Sequence, residues 1–314
     1  MIIVTGGAGF IGSNLVKGLN NIGITDILIV DDLTDGTKCR NMNALSFADY
    51  CDKDVFIDQL SKLNGMKIEA IFHEGACADT MEHNGLKMMS MNYDYSKSLL
   101  HFALDHSIRF IYASSASVYG NGDNGFKEIR PNENPLNVYA FSKFLFDQYV
   151  RTMLPTAPMQ IVGLRYFNVY GQQENHKGRM ASTIYSFYRQ LKSDGITRLF
   201  EGSDKYIRDF IYVDDVVDVN RYFFNNPEKR EIFNCGTGKA EPFTTIAHSL
   251  IELEGKGKIE FVPFPDSLKG KYQAFTQADT SALRAIGYEQ DFMTVRQGVE
   301  RYHTYLTNND GFLT

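Results

Sequence analysis

Three glycines at positions 6, 9 and 12, set directly behind the apolar run Ile2-Ile3-Val4-Thr5, constrain this chain more than any other feature. The segment Gly6-Gly7-Ala8-Gly9-Phe10-Ile11-Gly12 leads straight into the helical pattern of residues 10–19, so the glycines fill a strand-to-helix turn. Glycine lets a backbone turn sharply and approach a bound group closely, and free N–H groups at a helix start attract negative charge. Turns also collect glycine for purely conformational reasons, so the trio alone carries little. The strand before it and the helix after it favour a cradle in which Gly6, Gly9, Phe10, Ile11 and Gly12 face the pyrophosphate of a dinucleotide.

Short apolar runs alternate with longer amphipathic stretches through the first half of the chain, the rhythm of βαβ units and a parallel sheet. Strands are expected at residues 2–5, 27–30, 70–73, 109–113 and 160–164, and long helices at 86–106 and 138–153. Past about residue 171 the alternation weakens. Strand-like pieces at 210–213 and 259–263 mix there with helical patterns at 216–224 and 243–253. The expected architecture is α/β, a Rossmann-type doubly wound sheet over residues 1–171 to which later segments can return. Residues 172–314 should form mainly a smaller α/β substrate-binding lobe.

Charge narrows the function classes. Lys plus Arg is 32 against 38 Asp plus Glu, a net charge of −6, so no diffuse basic field draws in nucleic acid, and a phosphate-bearing ligand must be met by local cations. Cys39, Cys51, Cys77 and Cys235 have neither CxxC spacing nor histidines at metal-ligand intervals, which points away from a metal centre or a redox dithiol. The start lacks the features of a secretory signal and no apolar run approaches the roughly 20 residues of a membrane span, so cytoplasmic residence without a membrane partner is expected.

Asp31 and Asp32 end the second strand about 20 residues beyond the glycines, where a carboxylate can accept hydrogen bonds from ribose hydroxyls, as NAD requires. A strand-end turn also uses such acids. Lys38 and Arg40 follow closely and could neutralise the extra phosphate of NADP, so both cofactors stay open.

Tyr139-Ala140-Phe141-Ser142-Lys143 places Tyr139 and Lys143 on one helix face. An ammonium near a phenol lowers its pKa and makes it a usable acid/base for an alcohol proton. Upstream, Ala113-Ser114-Ser115-Ala116-Ser117 closes the fourth strand, where open α/β sheets meet ligands, and a hydroxyl there can bond the reacting oxygen. Each motif has a bland explanation, a helix-surface pair or a serine-rich turn. Together with the glycine turn, and in this order, they favour redox chemistry at a carbinol.

These motifs resemble the extended short-chain dehydrogenase/reductase superfamily over the whole chain and, within it, the ADP-heptose 6-epimerases. The narrower match rests on Phe72-His73-Glu74-Gly75-Ala76-Cys77, Ser142 through Asp147, Arg165 through Gly171, His176-Lys177-Gly178 and Leu268 through Asp279. The resemblance implies a bound NADP, with NAD as the alternative, and inversion at C6″ of ADP-D-glycero-D-manno-heptose through a 6″-keto sugar, in lipopolysaccharide precursor synthesis. It gives Ser115, Tyr139 and Lys143 the superfamily roles and makes Lys177 a second acid/base. Cofactor contacts fall to Lys38, Lys53, Glu74, Gly75, Ala76, Cys77, Ala78, Val169 and Lys177. Substrate contacts fall to Ser115, Asn168, Arg179, Phe200, Glu201, Gly202, Ser203, Arg208 and Tyr272. A homo-oligomer is also implied, with a pentamer as one form.

Read without the resemblance, Lys177 is a loop cation, Arg208 a partner for Asp209 or Asp214, Asn168 a turn residue, and Tyr272 and Cys77 packing. Asp32, Met91 and Arg179 depart from the family pattern, and Asp32 would repel the phosphate of NADP. A dehydratase would carry an Asp-Glu pair where Ala116-Ser117 stands. A 4-epimerase or reductase of the same superfamily, or an inert dinucleotide-binding sensor, remains as the alternative.

Overall fold

A computed structural model describes residues 1–265 and 273–314. Its strands are β1 Ile2–Thr5, β2 Ile27–Asp31, β3 Asp49–Asp52, β4 Ala70–His73, β5 Arg109–Ser115, β6 Ile161–Tyr166, β7 Asn168–Tyr170, β8 Ile196–Phe200, β9 Ile207–Tyr212, β10 Glu231–Cys235, β11 Ala240–Pro242 and β12 Lys258–Val262. The helices are α1 Phe10–Asn20, α2 Lys53–Gln59, α3 Gly85–Met89, α4 Tyr95–Asp105, α5 Val138–Met153, α6 Thr183–Asp194, α7 Val213–Asn225, α8 Phe243–Glu254, α9 Ser281–Ala285 and α10 Val295–Asn309.

Among the described residues, seven strands form one parallel sheet in the order β10-β6-β5-β4-β1-β2-β3. The inner strands are apolar on both faces because helices cover both. Leu15, Val16 and Leu19 of α1 join Val216, Val217 and Phe223 of α7 on one side, and Leu99, Leu100, Phe146 and Val150 of α4 and α5 fill the other. Helices α1 and α7 touch so closely that a Cβ on Gly18 would overlap the Val217 side chain.

Strand order reverses direction between β1 and β4, which opens a crevice at their carboxyl ends, the place where such sheets take ligands. The seventh strand, β10, comes from beyond residue 171 and pairs with β6, Phe233 opposite Leu164. A third apolar cluster, including Ile184, Phe187, Phe210, Ile246 and Val299, packs α6, α8 and α10 around the small sheet β11-β9-β7.

The helix expected at 86–106 is corrected to three pieces: α3, a wider π-helical turn Ser90–Asp94, and α4. That turn carries Asn92, whose side chain brackets the Cys77 backbone, accepting from its N–H at 2.7 Å and donating to its carbonyl at 3.0 Å. Such bulges recur where a helix must aim a side chain at a site. The sequence reading also passed over β3, a short edge strand of charged and polar residues.

Candidate active site

The glycine turn is dictated by contact. Gly6 has φ +70°, and a Cβ there would lie 2.7 Å from the Gly75 nitrogen; one on Gly12 would overlap the Gly6 carbonyl oxygen. Side chains at either position would push the β1 turn off β4 and off its own helix. Helix α1 begins without a side-chain cap and without an acid in its first turn, so its leading N–H groups stay open to an anion.

A cleft of about 450 Å³ runs over this turn, bordered by Gly6, Gly9, Phe10, Ile11 and Gly12 on one wall and Glu74, Gly75, Ala76 and Ala78 on another. Asp31, Asp32, Lys38 and Lys53 border it too, as do Tyr95, His176, Lys177 and Met180. Asp31 accepts from the Ala8 N–H at 2.8 Å and from Lys38 Nζ at 2.5 Å, so much of its capacity goes to holding the turn. The Thr34 side chain, followed by the Thr34 N–H that donates to Asp32 at 2.7 Å, draws the Asp32 pKa down, and Lys53 stands 3.6 Å from its other oxygen.

Behind Glu74 to Ala78 lies a directional chain of hydrogen bonds. Ser96 donates to the Asn92 carbonyl at 2.7 Å, which leaves its oxygen to accept from His73 Nε2 at 2.8 Å. The other ring nitrogen then accepts from the Thr5 hydroxyl at 2.6 Å, and Thr5 accepts from the Gly75 N–H at 3.2 Å. Burial, with Lys143 adding repulsion, pushes His73 down to about 3, so the ring is neutral and its tautomer fixed. Asn92 extends the link to α5 by donating to Ser142 Oγ at 3.1 Å.

Tyr139 opens α5, capped by Asn137, which accepts from the Ala140 N–H at 2.8 Å. Lys143 Nζ donates to the Ala113 carbonyl at 2.8 Å, one turn of helix from the tyrosine. Burial pushes the Lys143 ammonium down to about 8, with Glu74 and Asp147 pulling it back up. The sequence expectation that the lysine lowers the phenol needs correcting: burial pushes Tyr139 up, and it is Ser115 that draws it back through a side-chain hydrogen bond. Ser115, at the end of β5, also accepts from Ser117 Oγ at 2.9 Å. Ser115 and Tyr139 do not line the glycine cleft, and Cys77, on the strip Glu74 to Ala78, acts on the Tyr139 phenol.

Lys177 reaches that cleft from the far wall, its Nζ 4.8 Å from the centre of the Phe10 ring. Burial pushes its ammonium down and Glu174 pulls it up. Asn41 ties this segment to the glycine turn, donating to the Ala8 carbonyl at 2.9 Å and meeting His176 Nδ1 at 3.2 Å.

The remaining expected contacts lie elsewhere. Asn168 donates to the Asp209 carbonyl at 3.1 Å and to Thr276 at 3.3 Å, while Val169 packs into the core beside β9. Arg179 forms an exposed pair with Asp79 at 2.7 Å. Arg208 donates to the carbonyls of Ile207 and Gln273, and the Asp209 carboxylate is taken by Thr237, Gly238 and Ala278. Phe200 ends β8 and Glu201, Gly202 and Ser203 continue into the turn after it, with Phe200 against Phe264 and Ser203 buried. Tyr272 lies outside the described residues. Sequence reasoning gave no role to Thr5, Asn92 or Glu174, although Glu174 precedes Lys177 by one helical turn.

Residues 2–236 match the NAD dependent epimerase/dehydratase family. A curated ADP-L-glycero-D-manno-heptose-6-epimerase of Brachyspira hyodysenteriae is 56% identical over 317 residues, covering 100% of both chains. Among solved structures, the Helicobacter pylori ADP-L-glycero-D-manno-heptose-6-epimerase is 28% identical, with a TM-score of 0.85, covering 98% of this chain and 96% of that one. A Thermotoga maritima UDP-glucose 4-epimerase with UDP-glucose is 26% identical, with a TM-score of 0.83 and 98% of each chain covered. Among the described residues, no helix is long and apolar enough to cross a membrane.

Proposed function

The chain belongs to the NAD dependent epimerase/dehydratase family, and from that premise we propose that it inverts C6″ of ADP-D-glycero-D-manno-heptose to give ADP-L-glycero-D-manno-heptose. The observation that carries the substrate is the full-length likeness to a curated enzyme of that name. Such a product serves lipopolysaccharide core synthesis.

Inversion at an unactivated secondary alcohol needs oxidation, because a carbanion at C6″ has nothing to stabilise it. A bound nicotinamide dinucleotide supplies acceptance and return of hydride. The glycine turn, the open start of α1 and the strip Glu74 to Ala78 fit such a group: two walls of bare backbone with a cation on either side of Asp32. Lys38 and Lys53 at the ribose end favour NADP, and NAD would rely on Asp31 and Asp32.

In the reaction, Tyr139 exchanges a proton with the C6″ oxygen of one epimer, Ser115 hydrogen-bonds that oxygen, and Lys143 anchors the helix carrying the phenol. Lys177 exchanges the proton for the other epimer, whose oxygen points elsewhere. Oxidation moves the hydroxyl proton to one group, and reduction of the 6″-ketone draws a proton from the other. Solvent exchange resets both. Asn168, Arg179, the turn 200–203, Arg208 and Tyr272 are proposed to meet the nucleotide sugar, and the assembly is proposed to be a cytoplasmic homo-oligomer.

Incubation of the purified protein with ADP-D-glycero-D-manno-heptose, followed by NMR of the C6″ configuration, tests the reading. A mixture of both epimers supports it, and unchanged substrate counts against it. Mass spectrometry of copurifying ligands separates NADP from NAD.

A further inference from the structure

Glu174 is fully buried and plays no part in the chemistry above. Its two oxygens accept from the Ser182 N–H and the Ser182 hydroxyl, each at 2.6 Å, and Tyr302 of α10 faces the same carboxyl. These contacts fix the carboxyl in place. Lys177 Nζ lies 3.9 Å from Oε2, one helical turn along. The ammonium also lies over the ring of Phe10, a neutral partner from α1. His176 is pushed down to about 4 by burial and by Lys38 and Lys177, so at neutral pH it carries no charge; Asp31 and Asp35 act on that ring with opposite sign. Among the described residues, Glu174 is therefore the anion that acts on Lys177.

We propose that Glu174 is a positioning residue for Lys177, holding the amine over Phe10 and setting the pH at which it gives up its proton. The proposal rests on Lys177 being the second acid/base. An amine in that role must arrive as ammonium in one direction of the epimerisation and as free amine in the other. A cleft wall alone drives a buried lysine toward the neutral form, and an adjacent carboxylate restores the charged one. Burial also raises Glu174 itself, with Lys177, Ser182 and Tyr302 opposing, so each partner pulls the other back toward its ionised form.

The test is the titration of Lys177 in the intact holoenzyme, read by competitive acetylation with acetic anhydride across pH and mass spectrometry of the Lys177 peptide. In Glu174→Gln the midpoint should fall by about one pH unit, and in Glu174→Asp it should return toward the parent value. Ser182→Ala keeps the carboxylate but removes one of its donors, and should lower the midpoint part of the way. It carries the test if Glu174→Gln fails to fold. A midpoint unchanged in Glu174→Gln, or in Ser182→Ala where that variant must serve, overturns the proposal. So does an equal displacement in the Gln and Asp variants, which would mark a merely structural role. The basic limb of the kcat profile separates the two readings. If the limb follows the midpoint, both stand. If the midpoint moves and the limb does not, Glu174 governs Lys177 but Lys177 is not the acid/base.

Discussion

Asp147 and Arg165 form an ion pair at 2.8 Å in which neither side chain has any solvent exposure. Asp147 lies on α5 one turn beyond Lys143 and two beyond Tyr139, on the same face. It also accepts from Tyr112 at 2.9 Å and from Ser114 at 3.0 Å, and Ser114 is the neighbour of Ser115. Glu133 supplies a second anion to Arg165 and pairs with Arg151 at 2.7 Å. The cluster thus fixes the helix bearing the phenol against the strand bearing the serine.

Removing Asp147 leaves part of a buried guanidinium uncompensated, and breaking such a pair costs about 3 to 5 kcal/mol. Asp147→Ala should lose that much in urea unfolding. Its activity should fall even where it remains folded, because α5 loses its register. A loss below about 1 kcal/mol would mean the cluster holds nothing in place.

The Glu74 carboxyl accepts from Tyr166 at 2.9 Å, while its second oxygen is buried without a partner among the described residues. Burial pushes its carboxyl up to about 7, against the pull of Tyr166 and Lys143. The folded state therefore binds more protons than the unfolded state between the ordinary 4.5 and about 7. Stability should be complete below pH 4.5 as far as this group is concerned, and decline as pH rises through 7. Glu74→Gln should flatten that slope in pH-dependent melting curves. An unchanged slope would place the titration on another group.

How much of this was legible in the residues differs by element. The inner strands and α5 announce themselves because burial on both faces demands unbroken apolar runs, and because Pro155 marks where the helix must stop. The π-helical turn was not legible, because the partner that its Asn92 meets, the Cys77 backbone, comes beside it only in the folded chain. Ser115, Tyr139 and Lys143 can be picked out from spacing, yet what tunes them cannot. Spacing suggested that Lys143 lowers the phenol, whereas the folded chain turns that ammonium to the Ala113 carbonyl. Strand β10 was hidden for a similar reason, since its place beside β6 depends on a long-range pairing that local pattern does not encode.

Gly12 lies against the Gly6 carbonyl, with no room for a methyl group. Gly12→Ala should fold poorly or lose its bound dinucleotide, because the turn must open to relieve the overlap. Mass spectrometry of the purified variant should find little cofactor. Full retention would show that α1 can shift to make room.

Lys53 stands 3.6 Å from Asp32 and borders the cleft with Lys38. If these cations receive the ribose phosphate of NADP, Lys53→Ala should weaken NADP by about tenfold, roughly 1.4 kcal/mol, and leave NAD nearly unaffected. Titration calorimetry with each cofactor decides it. Equal weakening of both would move Lys53 out of the phosphate site.

If C6″ inverts by losing and regaining hydride, its hydrogen is never lost to water. The direct measurement is NMR and mass analysis of product formed in ordinary water from ADP-D-glycero-D-manno-heptose carrying deuterium at C6″. Inverted product that keeps the deuterium on C6″ is the predicted result. Inverted product whose deuterium has been replaced by solvent hydrogen would contradict the account.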